Sequence, residues 1–580
     1  MDFIRLKNNL KKDYSGLRKI RLAILSDSST EFLAVAFRGF GYDLDYDFEL
    51  YVADYGAIES ELLNTSSFLY DFQPEFILVF QSIKKLQHQF DVLSDERKID
   101  FADAHITQVC AYYDVLLSKN ASCKIVYANF PEMFESIFGN YATKLQISFE
   151  YQIRKLNFEL MNVSQKLGNL FINDLCKIQN QYGVERFYDT RMYVHADLAY
   201  ALEILPKIAK NTTDIMLALD GNFKKCVILD LDNTLWGGVI GDDGIENIEI
   251  GSLGIGKAFS EFQVWLKQLQ RRGIILAVCS QNQEDVAKNP FMNHPEMVLK
   301  LEDFSIFVAN WGSKAENIKH IQKTLNIGFN SLVFLDDDPY QRNLVKTYVD
   351  DICVPDLPKD PAEYVSFLCD LNLFETASYS EVDKQRGQYY REEVNRETLK
   401  GYYASDAEYL KNLEMTAEVL SFNAYSLPRV LQLIQRSNQF NLRTIRYSEK
   451  ELQEIALSKT TFALAFSLQD KFGNYDIVSL VILKADSKQE LFIDTWIMSC
   501  RVLKRGLEDF VLNCVVNIAK REQYERLIGE YIPTQKNALV VDHYSKMLFQ
   551  QKGSRWFLDV SAYEQRVCYI ENKEKTEYVA

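Results

Sequence analysis

No run of 18 apolar residues occurs in the 580-residue chain, and the opening stretch MDFIRLKNNLKK holds no signal-peptide core, so neither a membrane span nor secretion is expected. Cys-x-x-Cys is absent as well. The ten cysteines are scattered, which fits a reduced, cytoplasmic protein better than a disulfide frame. Six histidines, none paired at i, i+4, argue against a zinc catalytic helix. Glycine (24) and proline (11) are too few for a collagen-like or linker-rich chain. Positive charge is also in deficit. Lys+Arg 65 against Asp+Glu 81 leaves a net charge of −16, which argues against nucleic acid or an anionic membrane as a partner. What is abundant is core material: 47% hydrophobic and 13% aromatic residues exclude wholesale disorder. At ~100–200 residues per domain the length suggests about three or four domains.

Pattern organises the chain, because it has no internal repeat or low-complexity tract. The first stretch, from about residue 6 to 210, holds strand-like runs at Arg21-Leu-Ala-Ile-Leu25, Phe76-Ile-Leu-Val-Phe80 and Lys124-Ile-Val-Tyr127. Helical patterns at 31–40 and 99–117 lie between them, which predicts a mostly parallel α/β sheet. A second block opens with the buried strand Cys226-Val-Ile-Leu229. A helix over 257–272, strands at 274–278 and 304–308, a helix over 315–325 and a strand at 331–335 follow, and the block closes near 357–360. That order is the mark of a doubly wound sheet. Residues 376–413 are charged and Tyr-rich and read as a solvated joining helix. From residue 414 the pattern predicts a smaller mixed α/β domain, with strands at 462–468, 477–484 and 491–498 and helices at 506–520 and 537–550.

The chemistry gathers at the strand ends of the second block. Asp230-Leu-Asp-Asn-Thr234 leaves its first strand, in the place where open α/β sheets bind ligands. Two carboxylates two residues apart can serve one hard cation and the phosphoryl group it binds; one can attack phosphorus while the other moves the proton. Ser280 follows the next strand and offers a hydroxyl to a phosphate oxygen, and Lys314 at a helix start offers a fixed positive charge. Asp336-Asp-Asp338 ends a further strand and adds carboxylates for the cation. Singly, each piece reads as well as a turn cap, a helix cap or a solvated charge; together and in this order they point to phosphoryl transfer.

These residues resemble the haloacid-dehalogenase-like (HAD) superfamily, and within it the FkbH-like family. The resemblance is carried by Asp230-Leu-Asp-Asn-Thr-Leu-Trp-Gly-Gly-Val-Ile-Gly-Asp-Asp-Gly244, Asn310-Trp-Gly-Ser-Lys-Ala-Glu-Asn-Ile318 and Phe334-Leu-Asp-Asp-Asp-Pro339. It implies Asp230 as the nucleophile forming an aspartyl-phosphate and Asp232 as general acid/base. Thr234, Ser280 and Lys314 would hold phosphate, and Asp230, Asp232, Asp336 and Asp337 would hold Mg²⁺. The short stretch after Asp232 leaves room for only a minimal cap.

Downstream, Arg436-Ser-Asn-Gln-Phe-Asn441 and Met498-Ser-Cys-Arg-Val-Leu503 look like FkbH-like motifs in a GNAT-like acyltransferase-type domain, which the predicted closing helix at 537–548, bearing Tyr544, also fits. The resemblance assigns Arg501, Lys504, Arg505 and Gly506 to the loop that holds a pantetheine pyrophosphate at a helix start. Lys504 stands where such loops carry glycine, which favours a carrier-borne phosphopantetheine arm over free coenzyme A. Cys500 reads either as an acyl-thioester nucleophile or as a small buried hydrophobe, with Cys279 as a rival thiol. The N-terminal domain is similar to SGNH hydrolases, with Ser26-Asp-Ser28 as nucleophile turn and Asn129 as oxyanion residue. It lacks an Asp-x-x-His pair, and His195 does not fit Asp189 in spacing, so a non-hydrolytic domain is expected.

The resulting fold class is a multidomain α/β chain. It comprises an SGNH-hydrolase-like domain at 1–215, a Rossmann-like HAD domain at 220–360, a helical linker at 361–413 and a GNAT-like domain at 414–580. The family resemblance implies an enzyme that loads a glyceryl unit from 1,3-bisphosphoglycerate onto an acyl carrier protein and removes the remaining phosphate. The alternatives are a plain Mg²⁺ phosphatase of a small phosphate ester and a non-catalytic assembly scaffold.

Overall fold

Apolar runs with no alternation are buried on both faces, and such runs build two parallel sheets here. The computed structural model describes residues 3–133, 136–377, 379, 384, 386–458, 460–534 and 537–573. It divides into two units, Met1–Phe223 with Leu368–Ser378, and Lys224–Phe367 with Tyr379–Ala580. Among the described residues no helix is long and apolar enough to cross a membrane.

The first unit holds β1 (Arg18–Ser26), β2 (Tyr46–Val52), β3 (Phe76–Phe80), β4 (Lys124–Ala128) and β5 (Leu170–Asn173) in the order β2-β1-β3-β4-β5. Every pairing is parallel, as the sequence pattern predicts. Residues 368–378, expected within a linker, are tied into this unit instead. Asp370 accepts Lys207 Nζ at 2.7 Å, and the Asn372 amide donates to Asp214 at 2.9 Å.

In the second unit a four-stranded parallel sheet comprises β6 (Cys226–Leu229), β7 (Ile275–Ser280), β8 (Phe304–Ala309) and β9 (Leu332–Leu335), ordered β8-β7-β6-β9. Strand β6 is therefore central, with the ends of β7 and β9 on either side. Between β6 and the helix Gly254–Arg271 lie the short helix Ile240–Asp243 and isolated bridges pairing Asp232 with Trp236 and Gly237 with Glu249. A Cβ at Gly237 would stand 2.6 Å from the Glu249 carboxylate and 3.0 Å from the Phe259 ring, so the chain passes close here. The cap is minimal, as expected.

The C-terminal part is one mixed sheet built on the antiparallel run of strands Thr461–Gln469, Asn474–Ala485 and Glu490–Met498. The strand Arg526–Glu530 lies parallel to Glu490–Met498 but pairs with only its Glu490–Phe492 end. The far end of Glu490–Met498 instead takes the two-residue strand Phe440–Asn441, inside the Arg436–Asn441 motif, with Phe440 opposite Met498. The helix predicted at 537–550 does not form. A 3-10 turn at Ala538–Val540 and a helical turn at His543–Lys546 stand there, and a strand begins at Gln550. The buried Asn537 side chain stands at the start of this stretch and is committed elsewhere. It donates to the carbonyls of Ile532 and Asn441, both at 2.9 Å, and accepts from Thr534 N–H at 2.7 Å, stitching separate segments where a helix would need a plain N-cap.

The helix Arg386–Lys400, read as solvated, is instead partly buried. Tyr390 and Val394 pack against the core of the four-stranded sheet. Arg396, fully buried, donates to both carboxylate oxygens of Asp470 at 2.7 and 2.8 Å. A bidentate pair removed from water is costly to break, because the surviving charge stays buried. Arg396→Ala is therefore expected to lower unfolding stability by about 3 kcal/mol, measured by urea denaturation of the full chain. A change within ~0.5 kcal/mol would mark the pair as an ordinary surface contact.

Candidate functional site

Strand order brings the catalytic candidates together. Asp230 leaves β6, and its N–H donates to the carbonyl of Leu335, the last residue of β9, at 3.0 Å. That pairing sets Asp336 and Asp337 beside Asp230. Ser280 closes β7 on the other flank, and Lys314 opens the helix Lys314–Leu325 after β8.

Lys314 is 3% exposed and bridges two carboxylates, with Nζ 2.8 Å from Asp230 Oδ1 and 2.6 Å from Asp336 Oδ2. Burial disfavours its ammonium form, yet the two carboxylates hold its pKa above the ordinary lysine range. Burial pushes the Asp230 carboxyl up to about 6, against the pull of Lys314. Burial likewise raises Asp336 and Asp337. Oxygens of Asp230, Asp336 and Asp337 all lie within 4.8 Å of one another. Three carboxylates against one ammonium leave two negative charges uncompensated in a buried, all-oxygen pocket, the donor set of a hard divalent cation. Asp336 is fixed further by Asp338 N–H at 2.9 Å, and Arg342 donates to the carbonyls of Asp336 and Asp337, both at 2.7 Å.

Asp232, expected among the cation ligands, is placed apart from that trio. Its Oδ1 accepts from Trp236 Nε1 and Ile240 N–H, both at 3.0 Å, and its Oδ2 accepts from Asn282 Nδ2 at 2.8 Å. The intervening Asn233 has φ 54°, a left-handed turn that asparagine tolerates. Its side chain accepts from Gly238 N–H at 2.9 Å. Thr234 is buried and faces Asp337: its hydroxyl lies 3.3 Å from Oδ1 and accepts the Asp337 N–H at 3.2 Å. It positions a carboxylate rather than standing open to phosphate. Ser280, 1% exposed, has its hydroxyl 3.2 Å from Asn282 Nδ2. Asn282 thus touches both the proton-transfer candidate and the phosphate-binding candidate. Sequence reasoning missed it, and the one available signal was its place two residues after Ser280.

The other candidates fare differently. Cys279 is fully buried, and burial pushes its thiol up to about 12, the setting of a structural rather than a reactive cysteine. The Cys500 side chain lies outside the described residues, as does that of Arg436. Arg505, expected on a pantetheine loop, is 4% exposed. It spends its donors on Glu393, Tyr475 and, at 3.3 Å, Asp470. Those acids are what buried it. Arg501 lies over the Tyr389 ring at 5.0 Å, whereas Lys504 is exposed. Gly506 has φ 78° and caps the helix Leu507–Arg521, but the Glu508 carboxylate accepts Lys504 N–H at 3.4 Å. The chain's own anion occupies the end where a pyrophosphate was expected.

In the N-terminal unit the Ser28 hydroxyl meets that of Ser26 at 3.1 Å, and no histidine bonds it among the described residues. Asn129 is consumed by Asp174 at 2.8 Å and by Leu175 N–H at 2.6 Å. Asp189 caps the helix Thr190–Ala196, and His195 is exposed. These placements assemble no hydrolytic triad.

Comparison with known proteins fits this geometry. Residues 21–217 match the FkbH N-terminal domain family. The crystal structure of the N-terminal part of protein BF1531 from Bacteroides fragilis, containing a phosphatase domain complexed with Mg, is 47% identical. The match covers 65% of this chain and all of that one, with a TM-score of 0.63. The chain belongs to the FkbH-like family of the HAD superfamily. It is an enzyme of that superfamily, with a HAD-type, phosphatase-like site. The Escherichia coli ribosomal-protein-S18-alanine N-acetyltransferase is 14% identical, covering 26% of this chain and 99% of its own, with a TM-score of 0.21. A Vibrio cholerae spermidine N-acetyltransferase mutant is also 14% identical, covering 26% and 95%, with a TM-score of 0.20. These two likenesses are too slight to carry an argument. No curated protein matches the chain.

The double contact of Asn282 makes it a positioning residue in the HAD site. Asn282→Ala should lower kcat for phosphate release by about 10–100-fold with KM little changed, as for a misoriented general acid. Asn282→Asp, which cannot donate to Asp232, should not restore it. Steady-state kinetics on a phosphate monoester reads both, and an unaltered kcat would remove Asn282 from the site.

Proposed function

We propose that this FkbH-like enzyme releases phosphate from a phosphorylated three-carbon acid through an aspartyl-phosphate on Asp230. In that reading, removal of phosphate accompanies loading of the glyceryl unit of 1,3-bisphosphoglycerate onto an acyl carrier protein. The observation that carries it is the buried Lys314 bridge between Asp230 and Asp336, with Asp337 completing an oxygen site of divalent charge. The trio would hold Mg²⁺, the ion bound by the Bacteroides fragilis protein, which would neutralise charge on the transferring phosphoryl group.

The residues divide the work. Asp230 Oδ attacks phosphorus, the ester P–O bond breaks, and the leaving oxygen takes a proton from Asp232. A water then gives its proton to Asp232 and attacks the aspartyl-phosphate; the bond to Asp230 breaks and inorganic phosphate leaves. Ser280 and Lys314 hold the phosphoryl oxygens, and Asn282 with Trp236 keeps Asp232 aimed at them. In the acyl step a thiolate sulfur attacks the carbonyl carbon of the acyl phosphate. Its C–O bond breaks and phosphate departs with the electron pair, so no further activation is needed. The C-terminal domain, read as GNAT-like, would dock the carrier, with Arg501 and the exposed Lys504 as its cations and Cys500 as the candidate relay thiol. The N-terminal domain is read as SGNH-like and non-hydrolytic, and the whole chain as cytoplasmic.

A plain phosphatase is the second reading, favoured by the commitment of Arg505 and Glu508 to internal contacts. Intact-mass analysis separates the two after incubation with Mg²⁺, 1,3-bisphosphoglycerate and a pantetheinylated carrier. A glyceryl adduct on the carrier is expected, whereas free phosphate with an unmodified carrier would leave only the phosphatase. Chelation with EDTA should abolish phosphate release and added Mg²⁺ restore it; release that survives chelation would contradict the cation site.

A further inference from the structure

The loop that carries two of the three clustered carboxylates has its backbone held from behind by one side chain. Arg342 is 7% exposed and lies on the helix Pro339–Tyr348, its N–H donating to the carbonyl of Asp338 at 3.1 Å. Its Nη1 carries two hydrogens, and it donates to the carbonyls of Asp336 and Asp337, both at 2.7 Å. A peptide group is planar, so holding its C=O on one side sets where its N–H points on the other. The two N–H groups aimed in this way are the ones that fix the acids. Asp338 N–H donates to Asp336 Oδ1 at 2.9 Å. Asp337 N–H donates to the Thr234 hydroxyl at 3.2 Å, and that hydroxyl faces Asp337 Oδ1 at 3.3 Å. One nitrogen thereby orients two carboxylates through their own backbone.

Ion pairing does not account for this cation. Its Nε is buried and meets no hydrogen-bond acceptor among the described residues. Asp356, 3.6 Å from that Nε, has a side chain 72% exposed and takes Lys346 Nζ more closely, at 2.6 Å. A guanidinium buried against so weak a partner loses more hydration than the pair returns. What it does provide is a fixed donor for two adjacent carbonyls, which no apolar side chain of its size could supply.

We infer that Arg342 is a positioning residue that sets the affinity of the Asp230, Asp336 and Asp337 site for its divalent cation. This rests on the cation site proposed above and adds what tunes it. The sign of the effect separates aiming from charge. A positive charge beside a cation site opposes the incoming ion, so on charge alone the loss of Arg342 would tighten binding. As an aiming group its loss does the reverse: two peptide planes are free to turn, both acids leave their places and the ion is held more weakly.

Calorimetric titration of the full chain with Mg²⁺ alone, without substrate, tests this. R342A is expected to weaken Mg²⁺ binding by about 10–100-fold, the usual effect of losing a group that orients a ligand. R342K keeps the charge but is one bond shorter, and its affinity is expected to fall between wild type and R342A. If urea denaturation shows R342A unfolded, R342K carries the test by itself. R396A, which breaks a different buried pair, should keep the wild-type affinity, so that lowered stability alone is not what is read. Equal or tighter Mg²⁺ binding in the Arg342 variants, or an equal loss in R396A, would overturn the inference and leave the cation site standing. A wild type that binds no Mg²⁺ would remove both.

Discussion

One buried ammonium holds this enzyme's site together. Lys314 reaches from the start of a helix to carboxylates at the ends of two different strands, so three elements far apart in sequence share one charge. Without it, Asp230 and Asp336 would face each other across a few ångströms of low-dielectric interior, and the two could not both stay ionised. With it, one negative charge per partner is only partly answered, because Asp337 adds a third carboxylate. The remaining imbalance suits a divalent cation and a phosphoryl group arriving together. The doubly wound sheet makes the arrangement inexpensive to build: β6 is central, and its end is flanked by the ends of β7 and β9. Residues one step past those ends converge without strain beyond the left-handed turn at Asn233.

A second set of buried charges organises the C-terminal half. Arg396 and Arg505 share Asp470, and Arg505 also reaches Glu393, so the helix Arg386–Lys400 is clamped to the mixed sheet on one side. On its other side Tyr390 and Val394, both partly buried, pack against the core of the catalytic sheet. The catalytic sheet and the C-terminal sheet are therefore joined through a packed helix rather than a slack linker. The loop carrying Cys500 lies beside that helix through the contact of Arg501 with Tyr389.

The legible parts were those in which residue type and local pattern coincide. Asp230, Ser280, Lys314 and Asp336 each stand at a strand end or helix start, and the alternation of apolar runs with helices fixes where those ends fall. Asn282 was not legible, because its worth lies in touching Asp232 fifty residues away. Arg505 was misread for the same reason: its acids are 35 and 112 residues distant, and a basic triplet in sequence says nothing of which members are already neutralised. The strand Phe440–Asn441 is too short for any periodicity. The failed helix at 537–550 shows tertiary contacts overriding propensity, with one asparagine tying the strand Phe440–Asn441 to the stretch 532–534.

The account stands on Asp230 carrying the phosphoryl group. Turnover quenched with borohydride reduces an aspartyl-phosphate to homoserine, which peptide mapping locates by mass. Homoserine at position 230, dependent on substrate and Mg²⁺, is the predicted result. Phosphate release with aspartate intact at 230, or with the reduced residue elsewhere, would contradict it.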